Sequence, residues 1–165
     1  MISLKVVDVK NFMSSLLIHN VFDNFLLSEI TIHTSKELYI SGKLNEDFYS
    51  SDELEILNGR KYATWNECKA LAYSFIKGNK LPLSIKIVFL LSDENTEKMI
   101  VRGGNKFNQN DVNGLFLNVR YDKNGLFLTT GSSIKIFTMD KTLEQLWDND
   151  IKIFLKHHNI AIEEI

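Results

Sequence analysis

The side chains able to do chemistry are few. Cys68 is the only thiol in the chain, and it falls on the apolar stripe of a Trp65–Lys77 segment with no histidine near it in sequence. That placement describes an inert, buried cysteine rather than an activated thiolate. His33 sits in the middle of an alternating segment, where an exposed or hydrogen-bonded imidazole is the expectation. His157 and His158 are adjacent; on a helix they point about 100° apart and are poorly placed to chelate one metal. The carboxylate pairs Glu53/Glu55, Glu94/Glu97, Asp148/Asp150 and Glu163/Glu164 fall in turns, on polar helix faces or in the tail. None is embedded in an apolar run that would raise its pKa for acid–base work. The stretch Asn108 to Gly114 superficially suggests a calcium loop but lacks oxygen ligands in register with its glycine and a closing glutamate. Gly103-Gly104 and Thr129 to Ser133 do not lead a Lys-Ser/Thr pair into a helix, as a phosphate loop would. These residues supply no catalytic set, no metal site and no cofactor site.

The chain that must carry them has 165 residues, 44% of them hydrophobic, and a formal net charge of -2. These values suit a single domain over 1–165 with a full core and exclude a disordered chain. One cysteine makes no internal disulfide. The longest apolar run, Ile87-Val88-Phe89-Leu90-Leu91, is far short of the roughly 20 residues of a membrane helix. Charges interrupt the opening Met1 to Asp8, unlike a secretion signal. A soluble, cytoplasmic domain with no membrane partner is the expectation. Lys outnumbers Arg 16 to 3, a bias that AT-rich coding would produce, so a lysine cluster carries less weight than an arginine fork.

Periodicity predicts the elements. Residues 2–7 read as a strand and Asp8 as the N-cap of a helix over 9–19, with Val9, Phe12, Met13, Leu16 and Leu17 on its stripe. Phe25 to Thr34 and Leu38 to Leu44 read as a hairpin with one wet face. Ser50 and Glu53 have capping-box spacing, and Thr64 and Glu67 repeat it more clearly before a helix over 65–77 that Gly78 would end in a left-handed turn. Leu83 to Leu91 reads as a central strand covered on both faces, with Met99 to Arg102 returning as a strand after a turn at Asp93 to Thr96. Leu115 to Tyr121 follows, then a hairpin turn at Asn124-Gly125. Leu126 to Thr130 and Ile134 to Thr138 would finish a meander around a bend at Gly131. A long helix over 141–158, capped by Asp140 or Thr142, and an isoleucine tail close the chain. The fold class is α+β: a largely antiparallel sheet covered by three helices. The residues expected in the core are Val9, Phe12, Leu16, Trp65, Cys68, Leu71, Phe75, Ile87, Phe89, Leu117, Leu146, Trp147, Ile151 and Phe154.

Asp8 to Gly42 and Thr64 to Gly103 share an element order, suggesting two strand–helix–strand–strand units. In that order residues 2–103 resemble one domain of a DNA sliding clamp, which implies a nucleic-acid-associated, clamp-like accessory protein. Over the whole chain, Leu4 to Lys10 with Phe12, Asn113 to Leu117, and Thr130 to Ser133 with Trp147 look like a small bacterial family with no assigned activity. That resemblance implies a bacterial, intracellular origin and adds no catalytic residues.

Charge is uneven along the chain: residues 61–141 carry 12 positive and 7 negative groups. Lys10, Lys69, Lys77, Lys80, Arg102, Lys106 and Phe107 form a candidate contact surface for a nucleic-acid backbone. The leading expectation is a non-catalytic binding or assembly module, whose protein partner or self-association would use the Gly103–Asn113 loop and the isoleucine tail. The alternative is a small enzyme with a dispersed polar site built from His33, Asp47, Tyr49 and Tyr121, which would require a pocket joining several of them.

Overall fold

The structure is a computed structural model that describes residues 1–165 except Asn79. It contains one seven-stranded sheet, antiparallel in every pairing and open at both edges, in the spatial order β3-β2-β4-β5-β6-β1-β7. The strands are β1 (Ser3–Val6), β2 (Leu26–His33), β3 (Glu37–Ser41), β4 (Ser84–Leu90), β5 (Val112–Asp122), β6 (Gly125–Ile134) and β7 (Ile162–Glu164). The helices are α1 (Val9–Leu17), α2 (Ser51–Leu57), α3 (Trp65–Ile76), α4 (Asp93–Arg102) and α5 (Thr142–His157), so the α+β class holds.

Alternation along the strands puts every second side chain on one face. Leu4, Val6, Ile30, Ile32, Ile85, Ile87, Phe89, Leu117, Val119, Leu126 and Leu128 share that face and are buried. The stripes of α1, α3 and α5 pack over it, burying Phe12 and Leu16, Trp65 and Ala72, and Leu143, Trp147, Ile151 and Leu155. Phe22 joins the layers, its ring centroid 5.3 Å from that of Phe12, 5.8 Å from Phe89 and 5.5 Å from Phe154. Two buried indoles are satisfied by backbone: Trp65 Nε1 donates to the Leu16 carbonyl at 2.8 Å, and Trp147 Nε1 to the Phe116 carbonyl at 2.9 Å. The first ties α3 to α1, and the second ties α5 to the sheet.

Several expectations need correction. Met99 to Arg102 is the last turn of α4, not a strand. Ser92 caps that helix by accepting from the Asn95 amide, and Thr96, Met99 and Ile100 fall on one helical stripe and are buried. The second strand–helix–strand–strand unit is therefore incomplete, and the clamp-like order ends there. β6 runs straight through Gly131, which pairs with Phe116, so β5 and β6 form a hairpin with no third strand over 134–138. The register shift lies instead between Val112 and Gly114. The two capping-box motifs behave oppositely: Ser50 and Glu53 cap α2 reciprocally, whereas Thr64 makes no side-chain cap bond. Glu67 instead pairs with Arg60 at 2.7 Å. Lys77 turns extended at the end of α3, so the helix stops before Gly78 and needs no left-handed residue. Leu71 is 57% exposed, because at 100° per residue it falls on the flank of the stripe that Trp65, Cys68, Ala72 and Phe75 define. The isoleucine tail is a true strand, β7, paired with β1.

One glycine is dictated by close approach. Gly42 follows β3 and lies against the irregular Leu27/Glu29 register; a Cβ there would sit 1.7 Å from the Leu27 carbonyl oxygen. Gly42→Ala is expected to destabilise the fold by at least about 2 kcal/mol through the backbone shift it forces, measured as a fall in the denaturant midpoint. An unchanged midpoint would show that the β2–β3 junction is looser than described.

Candidate functional site

The three long helices all lie on one side of the sheet, so the opposite side chains of its central strands face outward. Cross-strand register assembles them into rows. One row runs Tyr39–Thr31–Lys86–Arg120–Phe127–Lys5–Glu163, across all seven strands. The adjacent row runs Ser41–Glu29–Val88–Asn118–Thr129–Ser3. Beyond it Leu90, Phe116 and Gly131 are aligned. Both faces of β4 were expected to be covered; only Leu90, at its end, is buried on the outer side, while Lys86 is exposed and Val88 half-buried.

Lys86, Arg120 and Lys5 are the cations of this face, and all three are exposed. Lys86 stands directly opposite Arg120 on the neighbouring strand. Among the described residues neither Lys86 nor Lys5 makes an ion pair, and the only carboxylate near Arg120 is Asp122, 3.6 Å from Nε. The Arg120 guanidinium lies over the Phe127 ring, 5.0 Å from its centroid. This stacking is a cation–π contact that favours one placement of the guanidinium. Beside it Asn118 Nδ2 donates to the Thr129 carbonyl at 3.3 Å. Together Ser3, Lys86, Asn118, Arg120, Phe127, Thr129 and Ile165 line a shallow concavity of about 380 Å³. Glu29 lies in the next row, where its carboxylate accepts from the Tyr39 hydroxyl at 3.2 Å and so leans toward the β3 edge. That bond holds the Tyr39 phenol above its ordinary pKa.

A second concavity, of about 570 Å³, is an apolar seam between α4 and α5. Phe25, Met99, Trp147 and Phe154 line it, and Lys98, Arg102 and His157 stand at its rim. Its cations are already partnered: Arg102 with Asp150 at 2.7 Å and Lys98 with Glu94 at 3.1 Å.

The residues singled out from sequence are dispersed over the helical side and its loops. Lys69 is held by Asp23 at 2.7 Å and by the His19 carbonyl at 3.1 Å. Lys106 reaches Asp140 at 3.2 Å and Thr142 at 3.1 Å, tying its loop to the start of α5. Phe107 is part of the core. Lys10, Lys77 and Lys80 are exposed on α1 and beyond the end of α3. Of the dispersed polar set, His33 lies 3.7 Å from Glu37 across the β2–β3 hairpin, and Asp47 and Tyr49 belong to a short 3-10 turn at Glu46–Phe48 and its end. Tyr121 points to the core side of β5, opposite Ile85. Cys68 is half-buried, and burial first, then the Glu67 carboxylate, raises its thiol pKa. The Lys86–Arg120–Phe127–Lys5 row escaped the sequence reading because its members come from three separate segments, residue 5, residue 86 and the 120–127 hairpin. The alternation of Asn118 and Arg120 with buried neighbours was the available signal, but it does not give register.

Residues 15–163 match the model of a family described as a family of unknown function (DUF5721). No curated protein and no solved structure matches the chain.

Two outcomes follow from the local electrostatics. The protonated Cys68 thiol is expected to react with a disulfide reagent at neutral pH much more slowly than a free cysteine, reaching full rate only in denaturant; rapid labelling of the folded protein contradicts this. Asp140 accepts from the Thr142 amide at 2.8 Å and is also near Lys106, and both hold its carboxyl below the ordinary range, the backbone bond foremost. Its contribution to the α5 start is therefore present above the unfolded carboxyl pKa and lost as pH falls through the lowered native value. In a thermal scan across acid pH, Asp140→Ala should lower Tm at neutral pH, and the gap to wild type should close as the medium becomes strongly acidic.

Proposed function

Starting from the finding that the chain belongs to this family of unknown function, we propose that it is a binding module whose contact surface is the open face of the sheet, and that its partner is anionic. The observation that carries this is the Lys86–Arg120 juxtaposition. Like charges directly opposite on neighbouring strands are destabilising, and here no carboxylate lies between them. Arg120 is supported by the Phe127 ring and by Asp122 at 3.6 Å, but among the described residues Lys86 has no ion-pair partner to offset the repulsion, and such a breach of the local rules suits a functional surface. An anion seated between the two side chains would relieve the repulsion. The helical side is the poorer surface for this role, because Lys69, Arg102 and Lys106 each have a carboxylate partner within 3.2 Å.

A stability measurement and a binding measurement test the proposal. Lys86→Glu converts a repulsive cross-strand pair into an attractive one and is expected to stabilise the fold by about 0.2–1 kcal/mol; a lower midpoint would contradict the electrostatic argument. In heteronuclear NMR, a set of small aromatic phosphates, sulfonates and carboxylates should shift resonances of Lys86, Asn118, Arg120 and Phe127. Shifts confined to the α4–α5 seam, or none at all, would overturn the assignment of the surface.

A further inference from the structure

We infer that the anionic partner of the open face is a single-stranded nucleic acid. This inference rests on the reading above and adds the chemical class of the ligand. The cations are not a point cluster: Lys86, Arg120 and Lys5 lie on β4, β5 and β1, in one row that crosses four adjacent strands. With strands about 4.8 Å apart, that row spans roughly 14 Å, longer than one phosphate and suited to consecutive charges on a chain. Apolar surface is interleaved with it: the Phe127 ring within the row, stacked under the Arg120 guanidinium, aliphatic Val88 beside it and the Phe116 ring beyond. The Asn118 amide lies between, able to donate to and accept from a base edge. Cations set beside two rings and an amide match a ligand that exposes phosphates and base faces together. A duplex hides its base faces in the stack, and a peptide carries a ring face only where an aromatic side chain falls, whereas a single strand offers one beside every phosphate.

The surface continues past Phe116. A Cβ on Gly114 would lie 2.4 Å from Leu90 Cδ1 and 3.0 Å from Phe116 Cζ, which places this glycine on the same outer side. There Lys61, Lys135, Gln109, Asn110 and Asn113 line a further concavity of about 440 Å³ with Leu90 and Gly114. The two concavities flank Phe116, so a strand can run from Lys86 and Arg120 across Phe116 to Lys61 and Lys135. Carboxylates also lie along this path: Asp122 at the hairpin end, Glu163 opposite Lys5 on the edge strand, Glu29 in the next row but bonded to Tyr39, and Asp93 in the lining of the far concavity.

The test is fluorescence anisotropy with labelled oligouridylate and oligodeoxythymidylate of about 12 nucleotides, a length within the usual range for such sites. A duplex of the same length and polyglutamate serve as competitors. Three phosphate contacts give a slope of log affinity on log salt of roughly −2, a loss of roughly 20-fold between about 50 and 200 mM. In the Lys86→Gln/Arg120→Gln double variant the slope should shrink to roughly −0.7, with at least a tenfold loss of affinity at low salt. Phe116→Leu should weaken binding with the slope unchanged, whereas Lys77→Gln should leave both unchanged. Thermal melts of each variant establish that the fold is intact. Preference for either sugar supports the inference. It is overturned if neither oligomer binds at low salt, if duplex or polyglutamate competes equally, or if the double variant binds as wild type. Small anions shifting the open face while both oligomers fail to bind would refute the nucleic-acid ligand and leave the anionic surface standing.

Discussion

One-sided burial of the sheet is the constraint on which the rest of the molecule depends. A strand with apolar residues at every second position can be covered on one face and wetted on the other, and a shift of one residue in register would exchange the two. Here the pairings of β2, β4, β5, β6 and β1 put Ile30, Ile87, Val119 and Leu128 on the helical side, and all are buried. The same pairings fix Lys86, Arg120 and Phe127 on the other side. The surface is thus a by-product of core register. The two tryptophan N–H bonds reinforce the packing, one joining α3 to α1 and the other joining α5 to the β5 backbone.

This arrangement explains why the two concavities differ in kind. The α4–α5 seam lies between two helices, and Lys98 and Arg102 at its rim are paired with carboxylates of those same helices. On the open face Lys86 stands between Thr31 and Arg120, Arg120 between Lys86 and Phe127, and Lys5 between Phe127 and Glu163. Arg120 is steadied by the Phe127 ring, and its one carboxylate neighbour among the described residues, Asp122, reaches Nε at 3.6 Å. A protein shaped for stability alone would place a glutamate or threonine opposite Arg120.

Much of the architecture was legible in the sequence because local rules and tertiary packing agree there. Asp8 does cap α1, accepting from the Asn11 amide. The stripes of α1 and α5 and the alternation of β4 and β5 emerged where periodicity placed them. The failures have particular causes. Met99-Ile100-Val101 is a short apolar run that suits a strand or a helix, and the Ser92 cap with Thr96 on the buried stripe decided for the helix. Thr64 makes no side-chain cap where the first α3 amides are taken by backbone carbonyls, Trp65 donating to Phe25, Asn66 to Asp23 and Glu67 to Thr64 itself. Gly131 was read as a bend, yet it lies in regular register opposite Phe116, where the small residue leaves space beside that ring. The candidate site was the least legible part, since residues 5 and 86 are related to the 120–127 hairpin only by hydrogen-bond register between strands distant in sequence.

The central claim, that one face of the sheet is helix-covered and the other is free, is tested most directly by paramagnetic relaxation from a soluble gadolinium chelate. The account predicts strong relaxation of the Val88 and Thr129 methyl groups and the Phe127 ring, with the Leu117, Val119 and Leu128 methyls of the same strands protected. Protection of Val88, Thr129 and Phe127 to the level of those core methyls would contradict it.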